Sequence, residues 1–500
     1  MRSHSASLPA PLTLEAGFFW AWTLLLLWMP IPLGSNRVWA WAILEAGVFV
    51  LTAAWLLALF LRRVTIPVTL PRAKWFVLLL FFWLVYQAVY IVPIPLAWIQ
   101  VISPEAAAMH VLADVLNSDV MNSSPTGQWK TLSVDPNAAM VSWLKSLCYG
   151  LTFVMTCAVV TTRQRAQTLA YTLVFSAVTM AVFGILMHLA GINIEWFGTL
   201  ITHGAEASGT FPNRNHFAGY LEMMLALGIG LLIAGLRDHR AQSWKQFFRR
   251  FLEWMLGAKM RLRLMLCIMV IALVATHSRM GNAAFFSSLL IAGVIGIALA
   301  RHATRGTVIL LVSLLVIDVF IVGSWFGIEK LARRIEQTTI VKQVIAPNAA
   351  TGAAQQSESV EERLDPSVYA LQIIKDYPAV GSGPGSFYTT FPRYRGGDVA
   401  ALFEYAHNDY IQFATESGVA GLAMLGLIVV WSLAVALRAQ YTRRDPLMRG
   451  LSFASIMGII ALMIHSTVDF NLQIPANAML FMVMLAFAWI SLHLNRRSRA

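Results

Sequence analysis

The residues best suited to chemistry gather in a few short stretches, the densest being Glu404–Gly426, EYAHNDYIQFATESGVAGLAMLG. His407 supplies an imidazole that can accept a proton near neutral pH, as a general base must. Glu404, Asn408, Asp409, Tyr410, Gln412 and Glu416 add carboxylates, amides and a phenol that can bind or orient a hydroxyl-rich substrate. Asn408, Asp409, Gln412 and Glu416 recur at helical intervals, so on a helix they share one stripe. The chain then turns apolar for long enough to cross a bilayer. Ionisable groups at membrane depth cost about 2.5–3.5 kcal/mol each and normally face a cavity or a partner. The stripe is therefore expected to line something wet at the mouth of a membrane helix.

Three arginine-bearing clusters accompany it. GTFPNRNHFAGY (Gly209–Tyr220) sets Arg214 between Asn213 and Asn215, just before a span containing Glu222. THSRMGN places Arg279 at a junction between two spans, and EERLDP contains Arg363. An arginine fork fits phosphate oxygens two at a time and stays charged, so three of them beside a histidine suggest an anion site. Each residue also has a plain structural reading. Arg279 can snorkel to headgroups, Arg363 can pair within its acidic run, His407 can cap a helix, and Asn213 and Asn215 can end a loop. The run GSGPGSF (Gly381–Phe387) reads as a turn, since no strand precedes it and no helix opens from it. Asp318 and Glu45 are isolated intramembrane acids expected to pair between helices, and His465 and Asp469 to support the cavity from an outer helix end.

The elements that must position these groups follow from composition. The chain is 58% hydrophobic and 12% charged, far below the usual charge of a soluble domain. Apolar runs near the spanning length fall at about 17–33, 38–60, 74–92, 141–160, 167–190, 215–235, 262–276, 281–300, 306–326, 408–436, 450–466 and 475–494. We expect an all-α polytopic membrane protein with about 12 transmembrane helices, the first of them uncleaved. With the N-terminus inside, about 24 of the 37 lysines and arginines fall on the inner side. The net charge of +12 thus reports topology and an anionic inner leaflet, and no basic–aromatic motif points to nucleic acid. The three cysteines lie in apolar segments and form no CxxC pair, so neither a disulfide framework nor a metal site is implied.

Two large outside loops remain, at about 93–140 and 327–407. The start of the first, PLAWIQVISPEAAAMHVLADVL, reads as a helix lying at the interface. The second runs from the mixed-charge stretch IEKLARRIEQ through the tract PNAATGAAQQSES. Asp365 and Pro366 then read as an N-cap and first helical position for a helix through Ile374. The chain reads as one membrane domain, 1–500, with the second loop as its lid. The arginines and His407 fall on the outer side, where nucleotides are absent, and no Walker motif appears. Chemistry there must draw on a donor that is already activated.

GTFPNRNHFAGYLE, HSRMGN, RLDPSVYALQIIKDYPAVGSGPGSF and AHNDYIQFATESGVAGLAMLG occur in that order, and over about 170–490 the chain resembles the O-antigen ligase family. Its relatives are the Wzy-type polymerases and bacterial protein O-oligosaccharyltransferases. The HNxYxQxxxExGxxG block from His407 to Gly421 is the most specific part. The resemblance implies a GT-C-like inner-membrane glycosyltransferase with its active site facing the periplasm, using no metal or cofactor. It implies an undecaprenyl-pyrophosphate-linked glycan as donor and a hydroxyl acceptor on a glycan, a lipid A-core or a protein. Carried over by motif, the family's critical histidine falls on His407 and its key arginines on Arg279 and Arg363. Ile411 stands where the family usually has leucine, and the long first loop and the closing HSTVDFNLQIPANA look more like the exopolysaccharide and polymerase branch. A transporter is the reading from another class. It is disfavoured because the polar clusters sit at outer helix ends and no two halves match.

Overall fold

The computed structural model describes residues 13–121, 128–201, 206–235, 258–299, 312–313, 360–396 and 403–494. All of the expected span at 306–326 but 312–313, including Asp318, the IEKLARRIEQ stretch, the PNAATGAAQQSES tract and most of the basic block after Arg237 lie outside the described residues. Fourteen helices of seven residues or more order the chain among those residues: α1 (Leu14–Trp28), α2 (Val38–Phe60), α3 (Lys74–Val89), α4 (Leu96–Ile102), α5 (Pro104–Met121), α6 (Pro136–Val159) and α7 (Arg163–Ala190) come first. They are followed by α8 (Arg214–Ala234), α9 (Ala258–Ala275), α10 (Arg279–Leu299), α11 (Val360–Asp376), α12 (Asp409–Thr442), α13 (Pro446–His465) and α14 (Pro475–His493). Eight of these, α2, α6, α7, α8, α10, α12, α13 and α14, are long and apolar enough to cross a membrane, and α1 and α3 are shorter apolar helices. The protein is an all-α polytopic membrane protein.

Helix starts follow local chemistry. Asp135 accepts from Ala138 N at 3.0 Å with Pro136 opening α6, and Asp445 accepts from Leu447 N at 2.9 Å with Pro446 opening α13. One boundary departs from expectation. The helix assigned to begin at Asp365-Pro366 starts earlier, so Pro366 sits inside α11. Its missing N–H forfeits one intrahelical bond. Burial of Ser367, Ala370 and Ile373 on one face of α11 outweighs that loss.

α8 and α14 are buried nearly all round and lie in the middle of the bundle, as their mostly apolar composition allows. Small residues let α8 approach its neighbours. Gly230 and Gly450 bring the backbones of α8 and α13 together so closely that a side chain at either would strike the other's carbonyl. At one end of the bundle, basic residues cap helix ends. Arg72 Nη1 donates to His493 O at 3.3 Å, and Arg443 donates to Leu494 O. His407 lies at the opposite end.

At the His407 end, the two large loops share a small core of Tyr90, Ile99, Leu132, Ala370, Ile373, Tyr377, Phe387 and Phe391. The first loop closes on itself through an antiparallel pair, Ile94–Pro95 with Trp129–Lys130, and meets the second where Val134 N donates to Ser382 O at 3.0 Å. The expected interfacial helix is two helices, α4 and α5, parted at Ser103, with Trp98, Val101, Leu112 and Leu116 exposed. His110 on α5 bonds Thr131 O at 2.9 Å.

α12 is 34 residues long, more than a bilayer needs, and it is broken at Gly418 (φ 63, ψ −175). Into the break docks the Gly-rich turn, itself bent at Gly381, Gly383 and Gly385 with positive φ. Ser382 N and Gly383 N donate to Thr415 O and Glu416 O, both at 2.9 Å. Val419 N and Ala420 N donate to Pro378 O and Ala379 O at 3.0 and 3.3 Å. Tyr86 OH adds a bond to Ser417 O at 2.6 Å, and Tyr90 OH donates to Val380 O.

Two outcomes follow for stability. Gly418→Ala places a Cβ against the Ala379 carbonyl in a conformation open essentially to glycine alone, and should destabilise by about 1–3 kcal/mol, read as a lower unfolding midpoint in detergent. Burial holds His110 below its ordinary range. A base with a depressed folded-state pKa contributes fully above its unfolded value of about 6.5 and loses that contribution as pH falls through the folded one. Protection factors of α5 amides, each referred to the intrinsic exchange rate at the same pH, should therefore fall on acidification below about pH 6, and His110→Gln should remove that fall.

Candidate active site

His407 ends the turn that enters α12, with φ at 52. Its ring stands edge-on between Phe403 at 5.6 Å and Phe470 at 4.9 Å. The next three residues are bound to the turn after α13. Asn408 caps α12 through Tyr410 N and Ile411 N, and its amide donates to Thr467 O at 2.7 Å. Asp409 N donates to Ser466 O and Asp469 O, at 3.0 and 3.1 Å. The Asp409 carboxylate accepts from Ser466 Oγ at 2.8 Å and Leu472 N at 3.1 Å, and Tyr410 OH donates to Met463 O at 2.9 Å. From the other side, Ser367 Oγ on α11 donates to Ala406 O at 2.6 Å.

The polar stripe is real, but part of it is internal scaffolding. Gln412 accepts from Ala406 N and donates to Glu416 Oε1, both at 2.7 Å, and Glu416 Oε1 also accepts from Phe387 N at 3.4 Å. Asp409 and Glu416 nevertheless reach the wall of a cavity of about 670 Å³ between α3, α6, α12, α13 and α14. Its walls are mostly apolar, and Ser466, Thr467, Gln473, Gln87 and Lys145 supply the polar points. Tyr410 lines it too, whereas His407 stands just beyond its lining. Lys145, 3.9 Å over the Trp41 ring, lies within electrostatic reach of Glu45, Glu404 and Glu416, so Glu45 does face a charge on another helix. Glu404 is exposed, and burial, with Glu404 and Glu416 nearby, pushes the Tyr405 hydroxyl above its ordinary range.

The arginines sit at helix N-termini. Gly281 in the first turn of α10 packs on Ala218 in the first turns of α8, which brings the ends bearing Arg279 and Arg214 side by side. Such ends carry partial positive charge and favour anions. Arg279 is exposed and has no carboxylate partner among the described residues. Arg214 is ion-paired with Glu206. Asn213 is the N-cap of α8, accepting from Asn215 N at 2.8 Å, and Asn215 is buried. Arg363 belongs to α11, one turn before the Ser367 that bonds Ala406, so that helix runs from Arg363 toward the His407 turn.

Two contributors were not singled out from sequence. Lys145 could have been found as a lone ammonium in the apolar run SWLKSLCYG, which is costly unless it has a role. Phe470 could not, since an aromatic in a turn carries no spacing signal.

The Asp409 carboxylate separates support from binding. Asp409→Ala leaves Ser466 and Leu472 N without their acceptor, which should lower stability by about 1–3 kcal/mol as read by thermal unfolding in detergent. An unchanged midpoint would assign Asp409 to the substrate instead.

Residues 264–426 match the family model described as O-Antigen ligase, and among curated proteins none matches the chain. The matched stretch holds Arg279, Arg363, His407 and all of Glu404–Gly426, whereas Arg214, Lys145 and Phe470 fall outside it. Over residues 264–426, about a third of its length, the chain is thus similar to the O-antigen ligase family.

Proposed function

We propose that this protein transfers a glycan en bloc from undecaprenyl pyrophosphate to a hydroxyl acceptor, at a bacterial inner membrane with the His407 end facing the periplasm. One observation carries the reading. A ring-backed histidine, the arginine-bearing N-termini of α8 and α10, and the mouth of an apolar cavity occur at the same end of the bundle. The cavity walls suit part of an isoprenoid tail, and the helix ends suit the pyrophosphate that follows it.

The reaction is a single displacement. The acceptor oxygen bonds the anomeric carbon, the bond from that carbon to the pyrophosphate oxygen breaks, and undecaprenyl pyrophosphate leaves with the electron pair. His407 takes the hydroxyl proton, with Glu404 beside it. Arg279 and Arg363 hold the pyrophosphate and offset the charge gathering on the leaving oxygen, a contribution of about 2.7–4 kcal/mol for a well-aimed donor. Because guanidinium charge does this, the scheme needs no metal. Arg214 and Asn215 serve the edge of the anion site once Glu206 is displaced, and Asn213 contributes by capping α8.

His407→Ala should abolish transfer of lipid-linked glycan in purified protein while leaving membrane insertion and the unfolding midpoint intact. Retained activity sinks the mechanism. Arg279→Ala should lower kcat/KM by about 10²–10³, and Arg279→Lys should recover only part, since an ammonium lacks the fork. Supplying one lipid-linked repeat separates the acceptors. Longer lipid-linked chains mark a polymerase, and a requirement for lipid A-core or protein marks a ligase or an O-oligosaccharyltransferase.

A further inference from the structure

Four titratable side chains outside that scheme meet in the core beneath His407. Glu222, about two turns into α8 and fully buried, has Oε1 2.6 Å from His465 Nδ1 at the end of α13. His465 Nε2 is 3.6 Å from Asp469 Oδ2, and Asp469 Oδ1 is 3.6 Å from His216 Nε2. Asp469 Oδ1 also accepts from Phe470 N at 2.8 Å, and Asp469 O from Asp409 N at 3.1 Å. The Phe470 ring is the hub above them, with His407 at 4.9 Å, His216 at 4.7 Å and Tyr405 stacked at 4.6 Å. A carboxylate–imidazole–carboxylate line inside a membrane bundle is expensive, and an apolar trio would pack there at lower cost. Its place directly under the Phe470 turn calls for a role.

We infer that Glu222, His465 and Asp469 are positioning residues for His407: their line fixes the turn that presents Phe470, and the Phe470 ring sets the angle of the His407 imidazole. The inference rests on His407 being the base of the proposed reaction. It gives a role to the contact between a carboxylate deep in α8 and His465, 243 positions away in the chain. His216, two residues after Arg214, touches the same Asp469 carboxylate, so the arginine end of α8 and His407 share one support.

Glu222→Gln in the full-length protein in lipid nanodiscs keeps the size and removes the charge. Two changes are expected: kcat falls about tenfold or more with donor KM within about twofold, and the rate at which diethyl pyrocarbonate modifies His407, read by mass spectrometry, changes about threefold or more while that of His188 does not. Glu222→Asp should restore part of both. Phe470→Leu should reproduce both changes, Phe470→Tyr should not, and this pair decides the matter if Glu222→Gln fails to fold. An unchanged His407 modification rate in the folded variants overturns the inference, including where kcat falls only with the amount of folded protein. The modification is read without turnover. Transfer surviving in His407→Ala would therefore overturn the proposed reaction and leave the positioning of His407 to be judged separately.

Discussion

Everything at the His407 end hangs on the interruption of α12 at Gly418. A continuous helix would pair Thr415 O, Glu416 O, Val419 N and Ala420 N internally. Here they bond across to residues 378–383, and the exchange leaves none of the four orphaned. The break therefore does two jobs. It lets a helix longer than the bilayer change course, and it offers an edge to which the second large loop attaches with backbone geometry. The first loop then builds on the second through Val134 and the shared aromatic core. Were the helix continuous, the Gly-rich turn would have no partner and α11 no fixed relation to the His407 turn.

Much of this was legible in the chain. Span positions and the stripe from Asp409 to Glu416 follow from local periodicity, which acts over a few residues. The Asp-Pro starts of α6 and α13 rest on equally local capping but were not singled out. GSGPGSF was readable as a turn because three glycines free the backbone, but its docking partner was not, since pairing between 378–383 and 415–420 leaves no periodic trace. The stripe was read as facing water, yet Gln412 spends both ends of its amide on Ala406 and Glu416. Polar groups at a membrane mouth have two ways to be satisfied, and spacing alone cannot choose between them. The Pro366 boundary failed because a buried face outweighed a local rule.

The electrostatics divide the bundle cleanly. One end gathers arginines that cap helix C-termini, among them Arg72 and Arg443. The other presents the N-termini of α8, α10, α12 and α14, whose dipoles point the opposite way. Helix direction and side-chain charge thus agree on which end can hold an anion. Within that end, the carboxylates are mostly committed to protein donors, which leaves Arg279 as the exposed cation at a helix N-terminus.

The support of His407 also bears on how such a protein can change over time. The ring that backs the histidine, the aspartate that holds that ring's turn and the glutamate beneath it lie at 470, 469 and 222, all beyond the matched stretch 264–426. A chimera exchanging that stretch with a relative would import the histidine without the residues packed beneath it. The surroundings of His407 are therefore carried by side chains at 216, 222 and 465–473 that the matched stretch does not contain.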